Sequence, residues 1–195
     1  MFKCDYVESE EEFFERTLYC FVETVGECST FVSDDQIVSD KALDRFVLLA
    51  NDLAPSLGIA KKYIAEEKTS KDAELLLLWL RLGAVTEYAL AIFLAIYPKQ
   101  FKRDVTKVEG IKRPAIEKIS FDELIKYYKS IAEWSDEDIA ILIRIKDNRN
   151  AIHLIKNADV SSWSDYLESV EFFFSMLKGL LGCLPDLSDL KFSGE

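Results

Sequence analysis

Three polar residues near position 150 have the types and the spacing to act together on a phosphate group. In the stretch KDNRNAIHLIKN, Arg149 and His153 are four residues apart, and Asn150 and His153 are three apart. A helix therefore places all three side chains on one side. Arginine binds phosphate oxygens through two hydrogen bonds and stabilises charge that develops in a transition state. Histidine exchanges protons near neutral pH, so the cluster predicts metal-independent RNA cleavage in which Asn150 orients the reacting groups.

The same spacing also occurs in helices whose polar side chains have only structural roles. Arg149 can pair with an acid or cap a neighbouring helix, and Asn150 can bond to backbone groups. His153 is the only histidine, and one imidazole cannot be both acid and base in a single step. Two chains that meet at this surface would supply both groups. Residues with expected supporting roles are Arg144, Lys146, Asn157 and Glu87.

The helix that carries the cluster is apolar on two sides when it is projected at 100° per residue. One side suits the core of a bundle and contains Ile141, Ile145, Ile152 and Ile155. The second apolar patch leads into the polar cluster and contains Ile139, Leu142 and Ile143. We expect this patch, with parts of the last helix, to form a homodimer interface that places two copies of the cluster near the dyad. The alternative is that another element of the same chain, such as the N-terminal helix, covers it.

Helix signals run along the whole chain, and no stretch alternates apolar and polar residues as a half-buried strand does. The sequence predicts an all-α bundle of five to seven helices, with a helix at 71–97 in its centre and one at 136–156 beside it. The basic segment 98–119 has weak periodicity and is predicted to be a long connection. Helix starts are predicted at Ser9, at Asp40, at Ser70 or Asp72, at Ser120 and Ser135 with their capping boxes, and at Ser162 or Ser164.

The apolar segment 75–97 is long enough to span a bilayer, which needs about 20 apolar residues. It contains Arg81 and Glu87, which are costly in lipid, so it is interpreted as the buried central helix of a soluble bundle. A buried carboxylate needs a partner. Because Arg81 lies six residues from Glu87 on a different side, that partner is expected on another helix.

Charge is distributed unevenly along the 195 residues, whose formal net charge is −11. Residues 1–40 contain eleven acids and two bases, whereas residues 99–118 contain seven bases and three acids. The net charge argues against a protein that coats nucleic acid in general, although the basic segment can follow an RNA backbone or face an acidic surface such as residues 8–15. Four scattered cysteines and one histidine predict no metal site and no cofactor. An opening without an apolar leader predicts a cytoplasmic protein that does not enter membranes.

The motif region resembles a known superfamily. The stretch KDNRNAIHLIKN is similar to the signature helix of the HEPN superfamily, which comprises all-α domains of bacterial defence, toxin–antitoxin and CRISPR-associated ribonucleases. Residues 135–187 and the segment GAVTEYALAIFLAIYPKQ also resemble small bacterial HEPN-like proteins. The resemblance implies one domain over residues 1–195. Its up-and-down helical core would occupy residues 70–187, and residues 1–35 would form an additional acidic N-terminal helix.

Two functions are compatible with this resemblance. The first is an endoribonuclease of the toxin or defence type that leaves a 2′,3′-cyclic phosphate, with Arg149, Asn150 and His153 as its catalytic group. The second is a non-catalytic module that binds RNA, a nucleotide or a protein partner, such as an antitoxin-like protein, through the same cleft. The superfamily's catalytic pattern places four to six residues between arginine and histidine, whereas three separate Arg149 from His153. Both functions therefore stay open at this point.

Overall fold

The computed structural model describes residues 9–32, 38–67, 73–111, 115–131, 134–151 and 160–185. Within these ranges the chain is an all-α bundle without strands, as predicted. Seven helices have eleven residues or more, and α5 is a short helix of seven residues. The helices are α1 (Glu10–Val32), α2 (Asp40–Ala50), α3 (Leu53–Ala65), α4 (Ala73–Ile96), α5 (Pro98–Asp104), α6 (Phe121–Ile131), α7 (Asp136–Asn150) and α8 (Trp163–Gly182).

Serine residues begin several of these helices at the predicted positions. Ser135 accepts a hydrogen bond from the backbone N–H of Asp138, whose carboxylate accepts one from the backbone N–H of Ser135. Ser162 and Asp165 form the same capping box before α8. Each box satisfies N–H groups that a helix start leaves without an intrahelical partner. The starts of α7, which carries Arg149, and of α8 are therefore determined by side chains within the first turn of each helix.

Helix α4 is the centre of the bundle, as the sequence predicts. It packs against each of the other seven α-helices, and Trp79, Leu82 and Leu90 are fully buried on it. Among the described helices, α4 alone is long and apolar enough to cross a membrane, and half of its most apolar window is buried inside the bundle. Such burial is expected of a core helix in a water-soluble bundle. Helix α7 lies directly beside α4.

The acidic N-terminal helix α1 is part of the core. Its residues Phe14, Phe21 and Val25 are buried, and α1 packs against α2, α3, α4 and α8. The ring of Phe14 stacks on Phe174 of α8, with 4.1 Å between the ring centres. The described part of the acidic segment 1–35 therefore contributes its apolar side to the bundle.

Two element boundaries differ from the sequence-based expectations. The segment 98–119 is not a simple connection, because α5 and two 3₁₀ turns lie within it and Phe101, Val105 and Val108 anchor it in the core. Helix α7 ends at Asn150, where the N–H of Ala151 donates to the carbonyl oxygen of Asn148. Residues 152–156 of the predicted helix lie outside the described residues.

Candidate functional site

Arg149 lies at a close approach of α4 and α7. A Cβ atom built on Gly83 of α4 would be 2.6 Å from the Cβ atom of Arg149, so only glycine permits this contact. The guanidinium Nη1 of Arg149 lies 2.5 Å from a carboxylate oxygen of Glu87, one turn further along α4. Its Cζ atom lies 6.0 Å from the ring centre of Phe121, the first residue of α6. Side chains from α4 and α6 therefore hold Arg149 in place.

The ion pair between Arg149 and Glu87 is partly shielded from solvent. Their side chains are 30% and 23% exposed, respectively. The prediction that Glu87 has its partner on another helix is confirmed, and Arg81 pairs instead with Asp52. The guanidinium charge of Arg149 is thus balanced by a carboxylate of the same chain before any ligand binds.

Of the two remaining residues of the predicted cluster, only Asn150 lies within the described residues. Asn150 is half-buried at the end of α7, and the described residues offer its side-chain amide no hydrogen bond. His153 and Asn157 lie outside the described residues, as do Ile152 and Ile155. The structure therefore brings Arg149 and Glu87 together. The grouping of Arg149, Asn150 and His153 stays a prediction.

Arg144 and Lys146 tie α7 to its neighbours. Arg144 forms an ion pair with Glu168 and lies 3.6 Å from a carboxylate oxygen of Asp165, both on α8. Lys146 donates to Asp122 of α6 at 3.0 Å. Hydrogen bonds from Lys126 and Lys146 lower the pKa of Asp122 below its ordinary value. Both predicted supporting residues thus have partners that fix the helix within the bundle.

Asn148, which was not predicted from the sequence, has the most complete polar contacts of this region. Its side chain is buried, and its amide donates to the carbonyl oxygen of Arg144 and to Oγ of Ser161, both at 2.9 Å. Its side-chain oxygen accepts the N–H of Ser161 at 2.7 Å. Asn148 thereby fastens the residues before α8 to the end of α7. Its position could have signalled this role, because it continues the buried series Ile141 and Ile145 with a polar side chain.

The expected dimer patch is largely covered by its own chain. Ile139 is 3% exposed and Leu142 is fully buried, whereas Ile143 is 41% exposed. Ile139 and Leu142 are therefore not available to a second chain. The reason is that α7 packs against α4, α6 and α8, so both of its apolar sides have neighbours. For these two residues the alternative is correct, because other elements of the same chain cover them. The homodimer stays a prediction, and Ile143 is the exposed residue of the expected patch.

A cavity of about 360 Å³ lies beside the ion pair, between α2, α4 and the 3₁₀ turn at Ile116–Lys118. We call it the Glu87 groove. Among its described lining residues only Glu87 is charged, and the volume lies at the lower end of the range of about 300–1,000 Å³ typical of ligand sites. Its lining residues are Val38, Ala42, Glu87, Tyr88, Ala91, Ile92, Ala95, Ile116 and Ile119.

The basic segment neutralises part of its charge internally. Asp104 is buried, and its carboxylate accepts hydrogen bonds from Arg103 and Lys107. These bonds lower the pKa of Asp104 to about 2. Among the described residues no group of three His, Cys, Asp or Glu side chains is placed to hold a metal ion. The described cysteines Cys20, Cys28 and Cys183 are free thiols.

Comparisons of the chain with protein-family models, with curated proteins and with solved structures found no match. The geometry around Arg149 is therefore the main indication of function. The resemblance of KDNRNAIHLIKN to the HEPN signature helix adds a hypothesis about function.

Proposed function

We propose that this chain is a HEPN-like cytoplasmic module that binds a protein partner through the Glu87 groove and does not cleave RNA. The ion pair between Arg149 and Glu87 is the observation that carries this proposal. A phosphate that binds Arg149 must displace the carboxylate of Glu87 or lie beside it as a second anion. Either outcome weakens the charge stabilisation that RNA cleavage requires from Arg149.

The lining of the Glu87 groove favours a protein partner over a nucleic acid. Eight of its nine described lining residues are Ala, Val, Ile or Tyr, which suit apolar side chains of a partner. The formal net charge of −11 opposes a polyanion. Glu87 supplies one acceptor at the end of the groove, where a donor group of the partner can orient it.

One observation favours the alternative, a metal-independent endoribonuclease of the toxin or defence type. Glu87 places a second proton-accepting group beside Arg149, and His153 alone cannot act as both acid and base. In this alternative Arg149 would release Glu87 when substrate binds. Its side chain is 30% exposed, which allows a phosphate to reach it.

An RNA cleavage assay separates the two functions. The purified chain is incubated with single-stranded RNA, with and without divalent metal, beside the variants Arg149→Ala and His153→Ala. We expect the wild-type protein to form no more product than either variant. Cleavage by the wild-type protein that both variants lose by about 10²-fold or more would establish the ribonuclease and contradict our proposal.

A peptide-display selection tests the binding function. Peptides selected on the wild-type chain are measured against Ala91→Trp, which fills the Glu87 groove, and against Leu77→Trp as the matched control. Leu77 is 62% exposed on the same helix, away from the groove. We expect enriched peptides to lose about tenfold or more in affinity for Ala91→Trp and to keep their affinity for Leu77→Trp. Peptides that bind all three proteins equally, or a selection without binders, would contradict the proposal.

A further inference from the structure

A second and larger groove lies between α1 and the corner of α2 and α3. Its volume is about 590 Å³, and we call it the α1–α2 groove. Tyr19, which is 66% exposed, stands at its edge. Its apolar surface is formed by Phe14, Leu18 and Val22 of α1, Val47 and Ala50 of α2, and Phe174 of α8.

The spacing of the groove residues matches a helix as occupant. Phe14, Leu18 and Val22 follow each other at intervals of four, so they extend for about 12 Å along α1 at 1.5 Å per residue. An amphipathic helix presents apolar side chains at i, i+4 and i+7 over the same length. One turn beyond Val22, α1 and α2 are already close together, because a Cβ atom on Gly26 would lie 3.5 Å from Cδ1 of Leu43. The opening is therefore about two helical turns long.

Acidic side chains without partners stand around this opening. Glu15 lines the groove, Glu11 precedes it by one turn on the same side of α1, and Asp44 precedes Val47 by one turn on α2. All three acids are exposed, and in the described part of the chain no Lys or Arg side chain pairs with any of them. Exposed acids elsewhere do have such partners, since Glu10 pairs with Lys61. The rim of the groove therefore carries three exposed carboxylates that form no ion pair within the described residues.

We propose that the α1–α2 groove docks an amphipathic helix of a partner protein whose apolar stripe is flanked by Lys or Arg residues. The apolar stripe covers Leu18, Val22 and Val47, and the cations pair with Glu15 and Asp44. Charge complementarity selects this occupant. A second copy of this chain, with its net charge of −11, or an anionic lipid surface would be repelled by the same rim. This proposal is independent of the Glu87 groove.

A synthetic peptide serves as the probe. It is a helix of about 18 residues with leucines in one stripe and lysines beside them, and its fluorescence anisotropy is measured with the intact chain. A control peptide has the same composition in scrambled order, so that it keeps the charge and loses the stripe. We expect the striped peptide to bind about tenfold more tightly than the scrambled peptide. Equal affinities, or no binding of the striped peptide, would overturn the proposal.

Two charge reversals on α1 locate the binding surface. Glu15→Lys and Glu23→Lys make the same change in net charge at exposed residues of one helix, but only Glu15 lines the groove. We expect Glu15→Lys to weaken binding of the striped peptide about fivefold and Glu23→Lys to weaken it less than about twofold. Equal effects of the two reversals would show attraction to the acidic chain in general and would overturn the proposal. Circular dichroism of each variant confirms that the helices are intact.

Discussion

Replacement of Gly83 by alanine perturbs the contact between α4 and α7 that holds Arg149 in place. The new Cβ atom would lie 2.6 Å from Cβ, 3.0 Å from Cγ and 2.8 Å from Cδ of Arg149. Because Cβ of Arg149 is fixed to the backbone of α7, rotation of the side chain cannot relieve the overlap, and α7 must move. Overpacking of this kind costs about 1–3 kcal/mol, and we expect the upper half of that range. Alanine regains about 1 kcal/mol over glycine in a helix interior, so the net loss in the free energy of unfolding is about 1–2 kcal/mol.

Thermal unfolding of Gly83→Ala and of a matched control, Gly58→Ala, measures this effect. Gly58 is an exposed residue within α3, and a Cβ atom there meets nothing within 4 Å. One kcal/mol shifts Tm by about 2–4 °C in a chain of this size, so Gly83→Ala is expected to lower Tm by about 2–8 °C. Gly58→Ala is expected to raise Tm by about 1–4 °C, since it gains helix propensity without overlap. Equal stabilisation by both substitutions would refute the close contact and the placement of Arg149 derived from it.

Three further predictions concern other parts of the chain. Asn148→Ala should lower the free energy of unfolding in urea by about 1–3 kcal/mol, because it leaves the partly buried backbone N–H and hydroxyl of Ser161 without their partner. An unchanged value would contradict the role of Asn148 in holding the residues before α8 against α7. If the chain forms a homodimer through the exposed part of the patch, Ile143→Glu should give monomers in sedimentation velocity, whereas an unchanged sedimentation coefficient would exclude this surface. Asp104 has its pKa lowered to about 2, so its stabilising contribution is complete above pH of about 4 and is lost as the pH falls towards 2. A carbon-13 NMR titration should show its carboxylate ionised at pH of about 3, and a titration midpoint near 4 would contradict the contacts with Arg103 and Lys107.

Local signals were sufficient to predict where several helices begin. A capping box needs only residues three apart, so Ser135 could be identified without knowledge of the tertiary structure, whereas Ser162 was one of two candidates for the start of α8. The central position of α4 also follows from its apolar sequence. Helix α5 was not predicted, because its residue Phe101 is fixed by packing against Tyr127 of α6, which is distant in sequence.

The candidate site could be predicted only in part for the same reason. The sequence shows that Glu87 needs a partner, but its choice of Arg149 depends on the approach of α4 and α7 at Gly83. It also shows that α7 is apolar on two sides without showing what covers the second side. Leu142 is buried because α4, α6 and α8 surround α7 in the folded chain, and no spacing rule contains that information.

A double-mutant cycle between Arg149 and Glu87 tests the central claim most directly. The free energy of unfolding is measured in urea for the wild-type chain, Arg149→Met, Glu87→Gln and the double variant. Since both side chains are about a quarter exposed, the coupling should exceed that of a typical surface pair and fall below that of a fully buried one, at about 1 kcal/mol. We expect both single variants to be destabilised and the double variant to lose less than the two single losses together. A coupling of zero, with Arg149→Met as stable as the wild-type chain, would show that the guanidinium is free for phosphate chemistry and would contradict the structural role assigned to it.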